Sequence, residues 1–369
     1  METEIAIVGG GVVGLACAAE ASRRGFEVVV LERESRTGQG TTSRNSGVIH
    51  AGLYYPAGSM KSRFCIEGRE SLYERCTRMG IPFRKTGKWV VAPTTDEIPT
   101  LESIASLARA AGVPGITIVE GSEFRRREPT LRGAAALWSP ESGIVDAHEL
   151  TDSYRRELVS HGGAVALQTE VAGLDRTPHG WNVSFRGTRG EDDRLAARMV
   201  INAAGLEADR IAESSGLEID ALGFRHRYVK GNYFAVRGFP SMPTCPLIYP
   251  VPEKDGLGIH LTQNLGGQWI AGPDTEPVES IDFRVDPHRA AAFAKSIATY
   301  LPGITEDLLT PDYAGIRPKR RVRDGYPDFV VHEGSAEGMP GIVHLLGIES
   351  PGLTASSALA KHAVDLLTE

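Results

Sequence analysis

IAIVGGGVVGLACAAEASRRG, residues 5–25, and EVVVLE, residues 27–32, decide how this chain folds. Residues 5–10 are a short apolar run rich in β-branched side chains. Such a run reads as a strand buried on both faces of a parallel sheet. From Val12 the residues become small and helix-forming, until Arg23, Arg24 and Gly25 supply a stop. Residues 27–32 then read as a second buried strand. Strand, glycine turn, helix and strand in that order make a unit that can hold a phosphate at the helix start.

Gly9, Gly11 and Gly14 supply the spacing G-x-G-x-x-G. The first glycine permits the tight turn, the second lets a pyrophosphate approach the backbone, and the third lets helix pack on strand. Val12 and Val13 open the helix between them. Glu32 ends the second strand 18 positions past Gly14, near the ~20 expected for an acid that accepts from ribose hydroxyls, and Arg33 follows it. Strand, helix, strand and acid in register predict a dinucleotide site, but the pattern alone does not separate NAD from FAD.

The chain has 369 residues, 41% hydrophobic and 24% charged, with a net charge of −7. That length suits two domains. An acidic balance gives no general field for nucleic acid or anionic lipid. The basic run at residues 125–127 reads as a solvated surface. Cys17, Cys65, Cys76 and Cys245 contain no C-x-x-C pair, so we expect reduced thiols, no structural zinc and no metal centre. The apolar run at 5–19 carries Glu2 and Glu4 on its flank where a signal peptide carries basic residues, and it is too short to span a bilayer. The expected location is cytoplasmic, with peripheral membrane contact left open.

After Glu32 comes ERESRTGQGTTSRNSGVIHAG, a polar loop in place of the third strand–helix repeat of an NAD domain. Read as VVLERE…G..TS..S.G..H, it resembles the FAD-dependent oxidoreductases of the D-amino acid oxidase superfamily. The resemblance implies an α/β chain: an FAD-binding Rossmann-like domain of the glutathione-reductase type, joined to an α+β substrate domain. It places Thr41, Thr42, Ser43, Asn45 and Ser46 along the FAD, where small donors let the chain approach a flat ring. It also puts Val171 against the adenine and Ala203, Ala204 and Gly205 over the diphosphate. Gly352, Leu353 and Thr354 lie at a helix start, whose positive end would stabilise a reduced ring. FAD is expected without a covalent bond.

Further along, residues 87–112 read as strand then helix, and Asp146 as the N-cap of a helix ending near His161. Strands follow from residues 164, 181 and 198. From residue 224 short strands and frequent turns predict a mixed, largely antiparallel sheet. The expected FAD domain comprises residues 1–85, 146–223 and 315–369. The expected substrate domain comprises residues 86–145 and 224–314.

RNSGVIHAGLYYPAGSMK, YVKGNYF, LIYPVP, GLGIHLT and AGIRP resemble the L-2-hydroxyglutarate dehydrogenase family over essentially the whole chain. The first stretch also resembles FAD-dependent glycerol-3-phosphate dehydrogenases, but Tyr54 stands where they carry a phosphate-binding arginine. Three departures stand out: Asn232 replaces the family's usual acid, residues 317–323 are unusually basic, and the last turn reads GIESPGLTAS. The expected activity is oxidation of a small 2-hydroxy acid. Its carboxylate needs a planar cation, for which Arg317 is the candidate and also touches the cofactor set. A base must take the hydroxyl proton, and His50 and His260 compete for that role. Lys230 is a catalytic candidate that would sit beside the flavin or bind a second carboxylate, and Tyr54, Tyr55 and Tyr249 are expected to line the pocket. Alternatives are a glycine- or sarcosine-type amino acid oxidase, a glycerol-3-phosphate dehydrogenase, or a non-catalytic flavin protein. The residues do not choose among oxygen, a quinone and an electron-transfer protein as acceptor.

Overall fold

Glu2–Val8 becomes the central strand because its apolar residues can be covered on both faces. It pairs in parallel with Val28–Leu31 on one side and with Asp192–Asn202 on the other. This placement comes from a computed structural model that describes residues 2–188, 190–252, 258–322 and 325–368. Ala164–Ala166 adds in parallel beyond Val28–Leu31. Asp192–Asn202 also starts antiparallel to Gly180–Arg186 and ends parallel to Ile342–Leu346, so one long strand serves three partners. Glu170–Thr177 and Val330–Glu333 complete this first sheet.

Helix Val12–Arg23 packs between Ala147–Ser160 and Gly352–Thr368. Alanines line its contact face and let the three helices approach closely. Asp146 caps the second of these through the amides of His148 and Glu149. Among the described residues no helix is long and apolar enough to cross a membrane.

The second sheet is largely antiparallel. Its order is Glu276–Val278, His226–Val236, Trp269–Ala271, Leu261–Gln263, Leu247–Pro250, Lys88–Ala92, Ala135–Ser139, Thr117–Glu120. Leu309–Arg320 pairs along His226–Val236, and one pair, Leu247–Pro250 with Lys88–Ala92, is parallel. Its own core lies under helix Ala290–Ala298, around Phe234, Phe293 and Ile297.

Two expected domain boundaries are corrected. The break at residue 315 falls inside Leu309–Arg320, which stays antiparallel to residues 226–231 through Arg320. Leaving that sheet at residue 315 would strip partners from buried backbone groups. The break after residue 145 also fails, because Gly143–Val145 pairs with Val48–Ile49 and Phe83–Lys85 in a small three-stranded sheet. Helix Met60–Met79 was not anticipated. Its signals are local: Ser59 accepts from the Ser62 amide, and Gly80 ends the helix in the left-handed region.

Candidate active site

A cavity of about 490 Å³ is walled by both sheets. At one end the glycine turn meets the turn at Ala203. Gly9 has φ +104°, and a Cβ there would lie 2.5 Å from the Ala203 carbonyl oxygen. A Cβ on Gly14 would run into the Gly9 carbonyl. Both glycines therefore permit contacts that no other residue allows. Gly11, Val12, Val13 and Gly14 line the cavity, and the Thr42 hydroxyl accepts from the Val12 amide at 3.0 Å. A helix start leaves its first amides without intrahelical partners, as a phosphate requires.

Glu32 is fixed at the rim beside Arg33. One carboxylate oxygen accepts from the Gly10 amide at 2.7 Å and the other from the Glu34 amide at 2.8 Å. Each oxygen keeps a lone pair for a ligand hydroxyl. Val171 and the run Ala203, Ala204 and Gly205 wall the sides. Thr41, Thr42, Asn45 and Ser46 line the middle, where the Asn45 side chain pins its own turn to the Thr42 carbonyl and the Gly47 amide. Gly352 and Leu353 line it from the start of the last helix. Narrow glycine turns, exposed helix-start amides, a rim carboxylate and small donors fit FAD.

Two expected cofactor residues sit elsewhere. The Ser43 hydroxyl donates to the carbonyls of Gln39 and Gly40. Thr354 is fully buried, and its hydroxyl accepts from the His50 amide at 3.0 Å. Both side chains hold neighbouring backbone in place and neither lines the cavity.

At the other end the second sheet supplies the side chains. Arg317 lies across Gly231, where a Cβ would meet its guanidinium at 2.5 Å. One Arg317 nitrogen donates to the Asp274 carbonyl at 3.2 Å, and among the described residues no carboxylate pairs with it. His50 is partly exposed to the cavity, with Nε2 3.2 Å from the Ser350 hydroxyl, which Tyr55 also engages. Crowding protein atoms desolvate this imidazole and, with the charge of Lys88 nearby, push its pKa down to about 3. Tyr54 and Tyr249 line the same end, and Tyr249 stacks on His260 with ring centroids 3.5 Å apart.

Lys230 is a correction. Side chains alternate across a strand. Gly231 and Tyr233 face the cavity, so Lys230 and Asn232 face away. The Lys230 amine bonds the Arg284 carbonyl. Asn232 donates to both Asp274 and Glu276, which also pair with Arg289. An acid at residue 232 would add a third carboxylate to that cluster, which accounts for the amide found there.

Several cavity residues escaped the sequence reading. Lys61 pairs with Glu349 at 2.9 Å, and Lys319 approaches the same carboxylate at 3.5 Å. Burial pushes Glu349 up, but the two lysines outweigh it and hold the carboxyl below its usual range. Lys319 belongs to the basic run noted above; Arg320 instead bonds the Asp328 carbonyl, and Arg323 lies outside the described residues. The available signals were the run ending at Lys61 and the unusual acid in the last turn. Tyr233 stacks on Tyr313, whose hydroxyl reaches the Asn45 carbonyl at 2.9 Å and ties the two ends together.

Comparison with known proteins agrees with this geometry. A profile described as FAD dependent oxidoreductase matches residues 4–366. A mitochondrial L-2-hydroxyglutarate dehydrogenase of Arabidopsis thaliana is 39% identical, covering 96% of this chain and 81% of the relative. The Homo sapiens protein of that name is 30% identical, with 98% and 88% covered. Among solved structures, an L-α-glycerophosphate oxidase from Mycoplasma pneumoniae with FAD bound superposes with TM-score 0.89 at 24% identity, covering 100% of this chain and 95% of that one. Glycine oxidase from Geobacillus kaustophilus gives 0.81 at 24% identity, with 99% and 94% covered. These two likenesses establish the shared fold. The chain belongs to the FAD dependent oxidoreductase family, and FAD is its cofactor.

Proposed function

We propose that this enzyme oxidises a small 2-hydroxy acid to the 2-oxo acid. The observation that carries the reading is Arg317, a guanidinium at the cavity with no carboxylate partner among the described residues. A planar fork with open donors suits a substrate carboxylate in bidentate fashion. The relatives named for L-2-hydroxyglutarate support the same substrate class. Tyr54, where a phosphate-binding arginine would otherwise stand, favours a compact carboxylate over a phosphate ester.

The reaction removes a hydride from Cα and a proton from the hydroxyl, leaving a carbonyl. Bound FAD supplies the two-electron acceptor for the hydride. Arg317 fixes the carboxylate and so the direction of the Cα–H bond. His50 takes the hydroxyl proton. It is neutral at neutral pH, its amide is held by Thr354, and its ring is oriented by Ser350. We prefer His50 to His260 because His50 is the more exposed to the cavity, whereas His260 is buried against Tyr249. Tyr54, Tyr55 and Tyr249 shape the pocket around the substrate chain.

The test is anaerobic flavin reduction against L-2-hydroxyglutarate, L-lactate, glycine and sarcosine. A 2-hydroxy acid should bleach the flavin. Bleaching by glycine or sarcosine alone would overturn the proposal in favour of an amino acid oxidase.

A further inference from the structure

Lys88 opens the strand Lys88–Ala92 and is 1% exposed. Its ammonium lies 4.3 Å from the ring centroid of Tyr249 and 4.8 Å from that of Tyr54. His260 already covers one face of Tyr249 at 3.5 Å, so Lys88 must lie on the other. The cation therefore sits directly behind two rings that line the substrate end of the cavity. The negative faces of those rings stabilise it there.

Among the described residues the surroundings of Lys88 contain no counter-ion. The groups that face it are Tyr54 and the His50 imidazole from the segment before the long helix, and the Cys65 thiol from that helix. Cys245 and Tyr249 complete the set, from the strand Leu247–Pro250 and the turn before it. All are neutral near neutral pH. Burial raises both thiols to about 12, burial and the Lys88 charge lower His50 to about 3, and burial raises both tyrosines. Among the described residues no carboxylate pairs with Lys88. The hydroxyl of Tyr54 is buried without a hydrogen-bond partner among the described residues. A buried cation with no counter-ion is costly unless a ligand supplies one.

We propose that Lys88 is a positioning residue that acts through Tyr54 and Tyr249 as a counter-ion for the substrate carboxylate, so that binding an anion draws a proton from solvent onto Lys88. This inference rests on the proposed carboxylate site and adds a second charge to it. The sign follows from burial, which pushes Lys88 down to about 7. Below that pH the amine is already charged, and above it the amine is neutral. An arriving carboxylate favours the charged form and raises the pKa again. Proton uptake is therefore expected above pH ~7 and should vanish below it.

The experiment is calorimetric titration of the FAD-loaded enzyme with 2-oxoglutarate and with pyruvate, in buffers of different ionisation heat across the alkaline range. Wild type should take up about half a proton near pH ~7.5, and affinity should fall by about tenfold in total across the titration. Lys88→Met should abolish uptake and weaken binding by about tenfold. Lys88→Arg keeps the charge, so it should bind tightly with no uptake and a flat pH profile. Binding by wild type without uptake, or uptake that survives in K88M, would overturn the inference, as would an alkaline loss of affinity that K88R retains. If K88M does not fold, the wild-type and K88R measurements decide alone. Failure of every carboxylate to bind would overturn the site reading as well, which separates the two failures.

Discussion

The two ends of the cavity are built in different ways. The cofactor end is made mostly of backbone: glycine turns, helix-start amides and short polar residues within the first fifty positions. The substrate end is made of long side chains delivered by separate segments, Arg317 and Tyr249 from strands and His260 from just before one, with Lys88 behind them. A backbone site leaves its mark on sequence as spacing, because only glycine permits the close approach. A side-chain site leaves scattered residues whose meeting depends on sheet order.

The largest test of this contrast strikes the backbone end. Gly14→Val would drive a branched side chain into the Gly9 carbonyl, separating helix from strand. We expect an enzyme purified without flavin absorbance and with folding stability lowered by about 3 kcal/mol. Normal FAD content in this variant would show that the turn can adjust, and that the two ends differ less than the geometry says.

His50→Gln breaks the substrate end alone. FAD content should stay normal while flavin reduction by the 2-hydroxy acid slows by about 10²–10⁴-fold, the usual worth of a positioned base. If His260→Gln shows that loss and His50→Gln does not, the roles of the two histidines are reversed. Arg317→Ala should cost about 2–5 kcal/mol in kcat/KM, with FAD retained, because the substrate carboxylate loses its partner. Equal losses with neutral 2-hydroxy amides would sink the carboxylate role.

These expectations were unequally readable from sequence. The strand–turn–helix–strand unit and Glu32 follow from local rules and line the cavity, whereas the 41–46 loop follows from the family resemblance, and its Ser43 turns to the Gln39 and Gly40 carbonyls. Lys230 misled because its neighbour Gly231 is the residue that matters: the empty position makes room for Arg317, and alternation turns the lysine away. Lys88 looked like an ordinary strand residue. It becomes notable only because Leu247–Pro250, far along the chain, pairs beside its strand and brings Tyr249 over it. The boundary at residue 315 failed for a related reason, since the length of Leu309–Arg320 is set by its partner strand.

A milder test compares two desolvated histidines. His344 at the first sheet accepts through Nδ1 from the Asn202 side-chain Nδ2 at 3.1 Å, and burial pushes it down to about 3, like His50. Each folded-state pKa lies below the ordinary value near 6.5, so the unfolded chain binds these protons first. Stability is therefore fully present above pH ~6.5 and is lost as pH falls towards ~3, by up to ~1.4 kcal/mol per pH unit for each histidine. Urea unfolding from pH ~7 to ~4.5 should show this slope, and His344→Gln should flatten it by about one proton. An unchanged slope would mean that His344 is protonated in the folded enzyme.

The smallest expected effect returns to the cofactor end. Glu32 accepts from two amides with its two oxygens. Glu32→Gln keeps one acceptor and converts the other oxygen into a donor facing an N–H. One of the two amides then loses its partner, and the rim residue no longer holds a charge for the ribose hydroxyls. FAD affinity should fall by about tenfold, read as flavin lost on dilution. The rate of flavin reduction in fully loaded enzyme should not change, because Glu32 lies at the opposite end from Arg317 and His50. A reduced rate at full loading would mean that the two ends are mechanically coupled, and the tie from Tyr313 to the Asn45 carbonyl would be the first contact to cut.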